Sequence, residues 1–197
     1  MIKEMEIGVK DTVAMVRQMR LIAIAKFVIP FCFAGAVILL FWFAGPEVYT
    51  DYAAVFGIYS FMPIGGAVAV IPVGLNLGIP PAYLIAFILF TDADVALFLV
   101  WNFKYANKIP VLGKLVVITE EKGEKAIKKY KWAIRFGFIG LMLFVMFPLQ
   151  WTGSAVGAMA GRLIGMTAGM TWLAVVAGCF IRTLIATLIC IGVISFL

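Results

Sequence analysis

Residues 136–166 read FGFIGLMLFVMFPLQWTGSAVGAMAGRLIGM: an apolar run, a break at Phe147-Pro148-Leu149-Gln150-Trp151-Thr152-Gly153, and a return rich in small residues. As a helix, Phe136–Phe147 would be about 18 Å long. The hydrocarbon core of a bilayer is about 30 Å thick, and a span needs about 20 apolar residues. Proline removes a backbone donor and breaks a helix. Backbone opened at mid-depth is tolerated only when buried in protein or lining a wet cavity. The segment therefore reads as a re-entrant hairpin that enters and leaves by one face.

A second stretch, 53–78, repeats the pattern. It breaks at Met62-Pro63-Ile64-Gly65-Gly66, and its first arm, Ala53–Met62, would be about 15 Å long. Each stretch has a proline at its tip and a GxxxG closing its return arm, Gly74–Gly78 in one and Gly161–Gly165 in the other. Each leads into a run long enough to span, 82–103 and 169–197; Leu21–Ala44 is a third such run. The same residues also admit kinked spans that pack through small-residue faces.

Composition requires a bilayer. The 197 residues are 64% hydrophobic and 13% charged, with mean hydropathy +1.11, against about 25% charged in soluble domains. This excludes a soluble enzyme, a disordered tail and a nucleic-acid-binding module.

Charge placement sets the topology. Lys3, Lys10, Arg17, Arg20 and Lys26 open the chain, and nine basic residues fall between Lys104 and Arg135. Basic flanks stay cytoplasmic. Three crossings before Lys104 would put one basic zone outside. A hairpin at 53–78, entering from the outer side, returns both zones to the cytoplasm and leaves the acidic link Gly45–Tyr52, with Glu47 and Asp51, outside. The second hairpin then dips from the inner side, and the C-terminus is external. The expected fold is an all-α polytopic membrane protein: an inverted repeat of re-entrant hairpin plus transmembrane helix. It is preceded by an amphipathic surface helix over 1–20, with Ile2, Met5, Val9, Val13 and Val16 near one stripe. The segment 104–135 reads as a cytoplasmic basic surface helix, supported by Glu121–Lys125 and Glu124–Lys128 at i,i+4.

Four charges fall inside apolar runs. Asp92 and Asp94 lie about half-way along 82–103, Arg182 about half-way along the last span, and Arg162 in the second return arm. A charge at mid-bilayer costs at least about 2.5–3.5 kcal/mol. Two acids and two bases suggest mutual neutralisation. They either lock hairpins to helices or form a proton or ion relay, or a site for a charged substrate group. Asp92 and Asp94, two positions apart, stand roughly 200° apart on a helix and do not face one small site. Gln150 and Asn76 are the neutral polar candidates for a cavity lining; Pro63, Gly65, Gly66, Pro148, Thr152 and Gly153 shape the hairpin tips. Cys32, Cys179 and Cys190 lie in apolar runs and read as small hydrophobes. With no His in the chain, no metal or other cofactor is expected and enzyme chemistry is set aside.

These residues carry a resemblance. Met146 through Met166 resembles the second hairpin of the small multi-drug export protein family, which is similar to the DedA/VTT membrane proteins. Phe61-Met-Pro-Ile-Gly-Gly66 with Ile71-Pro-Val-Gly-Leu-Asn-Leu-Gly-Ile-Pro80 resembles the first, and Asn102 through Lys114 the connector. The resemblance implies paired inverted hairpins and proton-linked transport or lipid movement, with Arg162 as a hairpin arginine. The neutral Ile64-Gly-Gly-Ala-Val-Ala69 departs from members that carry charge beside the first proline.

The expected function is a carrier in the plasma membrane. It moves a lipid-phosphate or amphiphilic molecule through a mid-membrane cavity, coupled to protons at Asp92 or Asp94, with Arg162 and Arg182 as counter-charges. An uncoupled scramblase or flippase, or a non-transporting structural protein, are the alternatives. A homodimer through exposed GxxxG faces is permitted, and no nucleic-acid partner is expected.

Overall fold

The computed structural model describes residues 2–61, 66–103, 137–147 and 153–192, with backbone alone for 2–14 and 66–68. Among them the chain is all helix: α1 (Ile2–Ala44), α2 (Pro46–Phe61), α3 (Gly66–Asn76), α4 (Pro81–Asn102), α5 (Gly137–Met146), α6 (Ser154–Leu163) and α7 (Ala168–Cys190). Three helices are long and apolar enough to cross a membrane: Met15–Ala44 within α1, α4 and α7. The basic segment 104–135 and the tip residues Pro63, Gly65, Pro148, Gln150 and Thr152 lie outside the described residues.

The expected surface helix over 1–20 does not end before the first span. No Gly or Pro occurs between Val9 and Ile29, and α1 runs unbroken for 43 residues, about 64 Å. Its one internal proline, Pro30, has no N–H to give the carbonyl of Lys26. Asn102, 7% exposed at the end of α4, donates from Nδ2 to that carbonyl at 3.1 Å and to its own Phe98 carbonyl at 2.9 Å. Phe27, Phe31 and Phe98 pack their rings around the same contact.

The acidic link Gly45–Tyr52 is not a loop. Gly45 takes φ +123°, which a side chain would resist, and α2 starts at once. Pro46 suits a first helical position, and Glu47 in the first turn is favoured by the helix dipole. The first arm thus has 16 residues, about 24 Å, rather than the ten expected. Stacking of Phe41 on Tyr52 (4.2 Å) and the edge contact of Tyr52 with Phe87 (5.0 Å) seat α2 against α1 and α4.

α3 and α6 end alike. Gly78 (φ +80°) closes α3: its N–H bonds to Leu75 O and that of Ile79 to Gly74 O. Gly165 (φ +88°) closes α6: its N–H bonds to Arg162 O and that of Met166 to Gly161 O. These are two Schellman motifs with the same bonds. The two glycines of each GxxxG pair therefore serve different ends. Gly78 and Gly165 terminate helices in open space, while Gly74 and Gly161 are covered within the chain, by Leu84 and by Thr171 and Leu141. The positions recur at a uniform offset of 87 residues (74 to 161, 78 to 165, 84 to 171).

α7 is the central span and α1 the peripheral one: 44% of the apolar window is buried in the first and 6% in the second. α5 sits so close to α7 that a Cβ at Gly178 would stand 2.5 Å from the carbonyl oxygen of Met142. Gly157 and Gly161 bring α6 onto Val145 and Leu141 of α5 and onto Val175 and Thr171 of α7. The main core lies here, with Ala96 and Val100 of α4 joining Phe144, Val156, Val175 and Cys179.

Candidate functional site

The polar centre forms where α4, α7 and α2 meet. Asp92, in the middle of α4, is 0% exposed, and Arg182 of α7 is 7% exposed. Arg182 Nη2 donates to Asp92 Oδ2 at 2.9 Å. The other carboxylate oxygen, Oδ1, accepts from the hydroxyl of Tyr59 in α2. Arg182 Nη2 also lies 3.8 Å from the Sγ of Cys179, one turn away on α7 and fully buried. A second polar tie reaches the same turn of α4, where the indole Nε1–H of Trp172 donates to the Ala93 carbonyl at 2.9 Å.

Elementary electrostatics explains the grouping. Removing a carboxylate and a guanidinium from water costs several kcal/mol each, and only mutual attraction with further hydrogen bonds offsets this. Asp92 has both oxygens occupied. Arg182 does not use all its donors: its Nε is buried without a partner, as is Thr183 Oγ1 beside it.

Of the four intramembrane charges, the structure brings two together. Asp92–Arg182 is the ion pair among the described residues. Asp94 does not join it, as the 200° helical phase requires; its Oδ1 is buried without a hydrogen-bond partner. Arg162 meets neither acid. Its Nη1 donates to Met166 O at 2.5 Å and its guanidinium lies 5.5 Å over the Phe103 ring. Arg162 thus caps the Schellman turn of its own arm, a favourable place for a cation at a helix C-terminus. Neutralisation in two pairs is replaced by one pair plus two separately held charges.

Among the neutral candidates, Asn76 is exposed on the last turn of α3. Gly66 opens α3, and Gly153 is the residue before α6, in extended conformation with φ −62° and ψ 172°.

Three members of the cluster escape a reading of hydropathy. Tyr59 has a visible signal, a phenol in the last turn of an apolar helix, whose hydroxyl needs a partner when buried. Trp172 reads as an apolar residue because its one N–H donor is invisible to hydropathy. Cys179 carries no signal beyond its place one turn before Arg182. No group of three or more His, Cys, Asp and Glu among the described residues is arranged to hold a metal ion.

Residues 67–185, more than half of the chain, match the family described as "Putative small multi-drug export protein". No curated protein and no solved structure matches the chain. The matched stretch takes in α4, α5, α6 and most of α7, including Asp92 and Arg182, and leaves out α1, α2 and Tyr59. A multi-pass helical membrane protein with its charge pair held between two spans, the chain belongs to the small multi-drug export family.

Proposed function

We propose that the protein is a proton-coupled carrier of the DedA-like type, moving a small amphiphilic or lipid-phosphate molecule across the plasma membrane. The observation that carries this reading is the Asp92–Arg182 pair, buried between two apolar spans. An ionisable pair at such depth is costly, and charge of this kind marks ion and substrate pathways in membrane proteins. Asp92 is the group that takes and releases the proton. Arg182 holds the carboxylate while the site is closed and binds the substrate's acceptor group when it is open. Its buried, unpartnered Nε is a donor free for that purpose. Asp94 is the second acidic station, and Arg162 shapes the second hairpin.

The passage lies between two re-entrant hairpins, α2–α3 and α5–α6, in opposite orientations. The common Schellman ends and the uniform 87-residue offset support a repeat of arm plus span. The basic zones support a cytoplasmic N-terminus and 104–135 segment and an external C-terminus. The protein moves its substrate without transforming it.

The test is reconstitution in liposomes, with a labelled lipid phosphate and a cationic drug assayed in parallel, with and without a pH gradient. Gradient-dependent flux of one of them, lost in Asp92→Asn with helix content retained, is the expected result. Flux indifferent to the gradient would make the protein a scramblase. Flux of neither would overturn the carrier reading.

A further inference from the structure

We infer that Tyr59 is the gate residue of the buried Asp92–Arg182 site, and that α2 is the element whose movement opens it. The inference rests on the carrier reading above and deepens it.

The ties around the site are unequal. α4 and α7 are joined by two polar bonds into one turn of α4, Arg182 to Asp92 and Trp172 to the Ala93 carbonyl. They also share the buried Ala96, Val100, Val175 and Cys179. α2 packs mainly on α1 and α3 and reaches the charge pair by one polar bond, from the Tyr59 hydroxyl to Asp92 Oδ1. Its apolar contacts with the neighbouring spans run through Tyr52, Val55, Ile58 and Tyr59, in one cluster with Phe87, Ile88 and Ala186. Tyr59 is also partly exposed, while the groups it covers are not: Asp92 and Cys179 are 0% and Arg182 7% exposed. The least-tied side of the site is therefore its α2 side, and Tyr59 stands in it.

The chemistry of the phenol suits a gate. Its hydroxyl donates to the carboxylate and can also accept a hydrogen bond. It can thus exchange Asp92 for water or a substrate group without being left unsatisfied. Ionisable groups facing Asp92 are Tyr59 from α2 and Arg182 and Cys179 from α7. Tyr59 is accordingly a positioning residue: it sets access to Asp92 and holds no charge itself.

Cys179 is a built-in reporter. It lies under Arg182 at zero exposure, whereas Cys32 and Cys190 are exposed. In the full chain with Cys32→Ser and Cys190→Ser, reconstituted in vesicles, the rate of Cys179 modification by N-ethylmaleimide is measured. In Tyr59→Phe the rate is expected to rise about tenfold, the factor carried by losing a hydrogen bond to a charged group, about 1.4 kcal/mol. Trp172→Phe, which cuts the tie between α4 and α7 instead, should leave the rate near that of the parent. An unchanged rate in Tyr59→Phe, or an equal rise in both variants, overturns the gate.

Hydrogen exchange on the unsubstituted protein tests the same point without a variant. Backbone amides of α2 should exchange faster than those of α4 and α7, and equal protection also overturns the proposal. Failure of the gate and failure of the carrier differ: flux lost in Asp92→Asn with Cys179 equally protected rejects only the gate. Rapid Cys179 labelling in Tyr59→Phe without flux of either probe rejects only the carrier.

Discussion

The pair α3–α4 and the pair α6–α7 share one architecture and differ in chemistry. Both return arms end on a Schellman glycine, both bury a second glycine four residues earlier, and both cover it with a side chain ten residues on, Leu84 in one and Thr171 in the other. The charges do not follow the offset. The position matching Asp92 is Cys179, and that matching Arg182 is Val95. Each unit supplies one half of a single ion pair. The helix ends match and the charges do not, so the site's identity depends on bringing α4 and α7 together.

The largest effects should come from splitting that pair. Asp92→Leu or Arg182→Leu alone is expected to destabilise by about 3–5 kcal/mol, because the remaining charge is left buried and unpaired. The Asp92→Leu/Arg182→Leu double variant should recover most of the loss. Thermal melts in detergent decide it, and additive losses would show that the two residues are not partners.

Next comes the interface between α5 and α7. Gly178→Val would drive a side chain into the Met142 carbonyl, which cannot swing aside, and should cost at least about 1–3 kcal/mol. Gly74→Ala meets only the flexible end of Leu84 and should cost less, so equal melting shifts would deny the contrast.

Equality is the expectation at the two terminating glycines. Gly78→Ala and Gly165→Ala both force a side chain to positive φ with no neighbour in the way, for roughly 1 kcal/mol each. A difference well beyond that figure would show that the shared ends are not energetically alike.

The smallest effect concerns α1. Asn102→Ala leaves the Lys26 carbonyl without its donor, at about 1 kcal/mol. Adding Pro30→Ala restores a backbone N–H and should return most of it, as a double-variant cycle would register.

The three spans were legible because the length of an apolar run acts locally. So was the divergence of Asp92 from Asp94, which helical phase alone dictates. The choice of partners was not, since nothing in the chain says which arginine faces which acid across two helices. Arg162 and Arg182 look equivalent by hydropathy, yet one caps a turn and the other neutralises an acid. The GxxxG spacing misled for a related reason. A glycine spared a side chain for close contact and one required for positive φ are the same letter, and only backbone geometry separates them. Glu47 and Asp51 suggested a loop through their charge, although Pro46-Glu47 is also a good helix start.

The amide of Asn102, fixed on one carbonyl of α1, also limits how the peripheral span can answer the membrane around it. Sliding α1 along its axis by a single residue, about 1.5 Å, would carry that carbonyl out of reach. In a thinner or thicker bilayer, α1 must therefore tilt about this pinned point rather than piston through it.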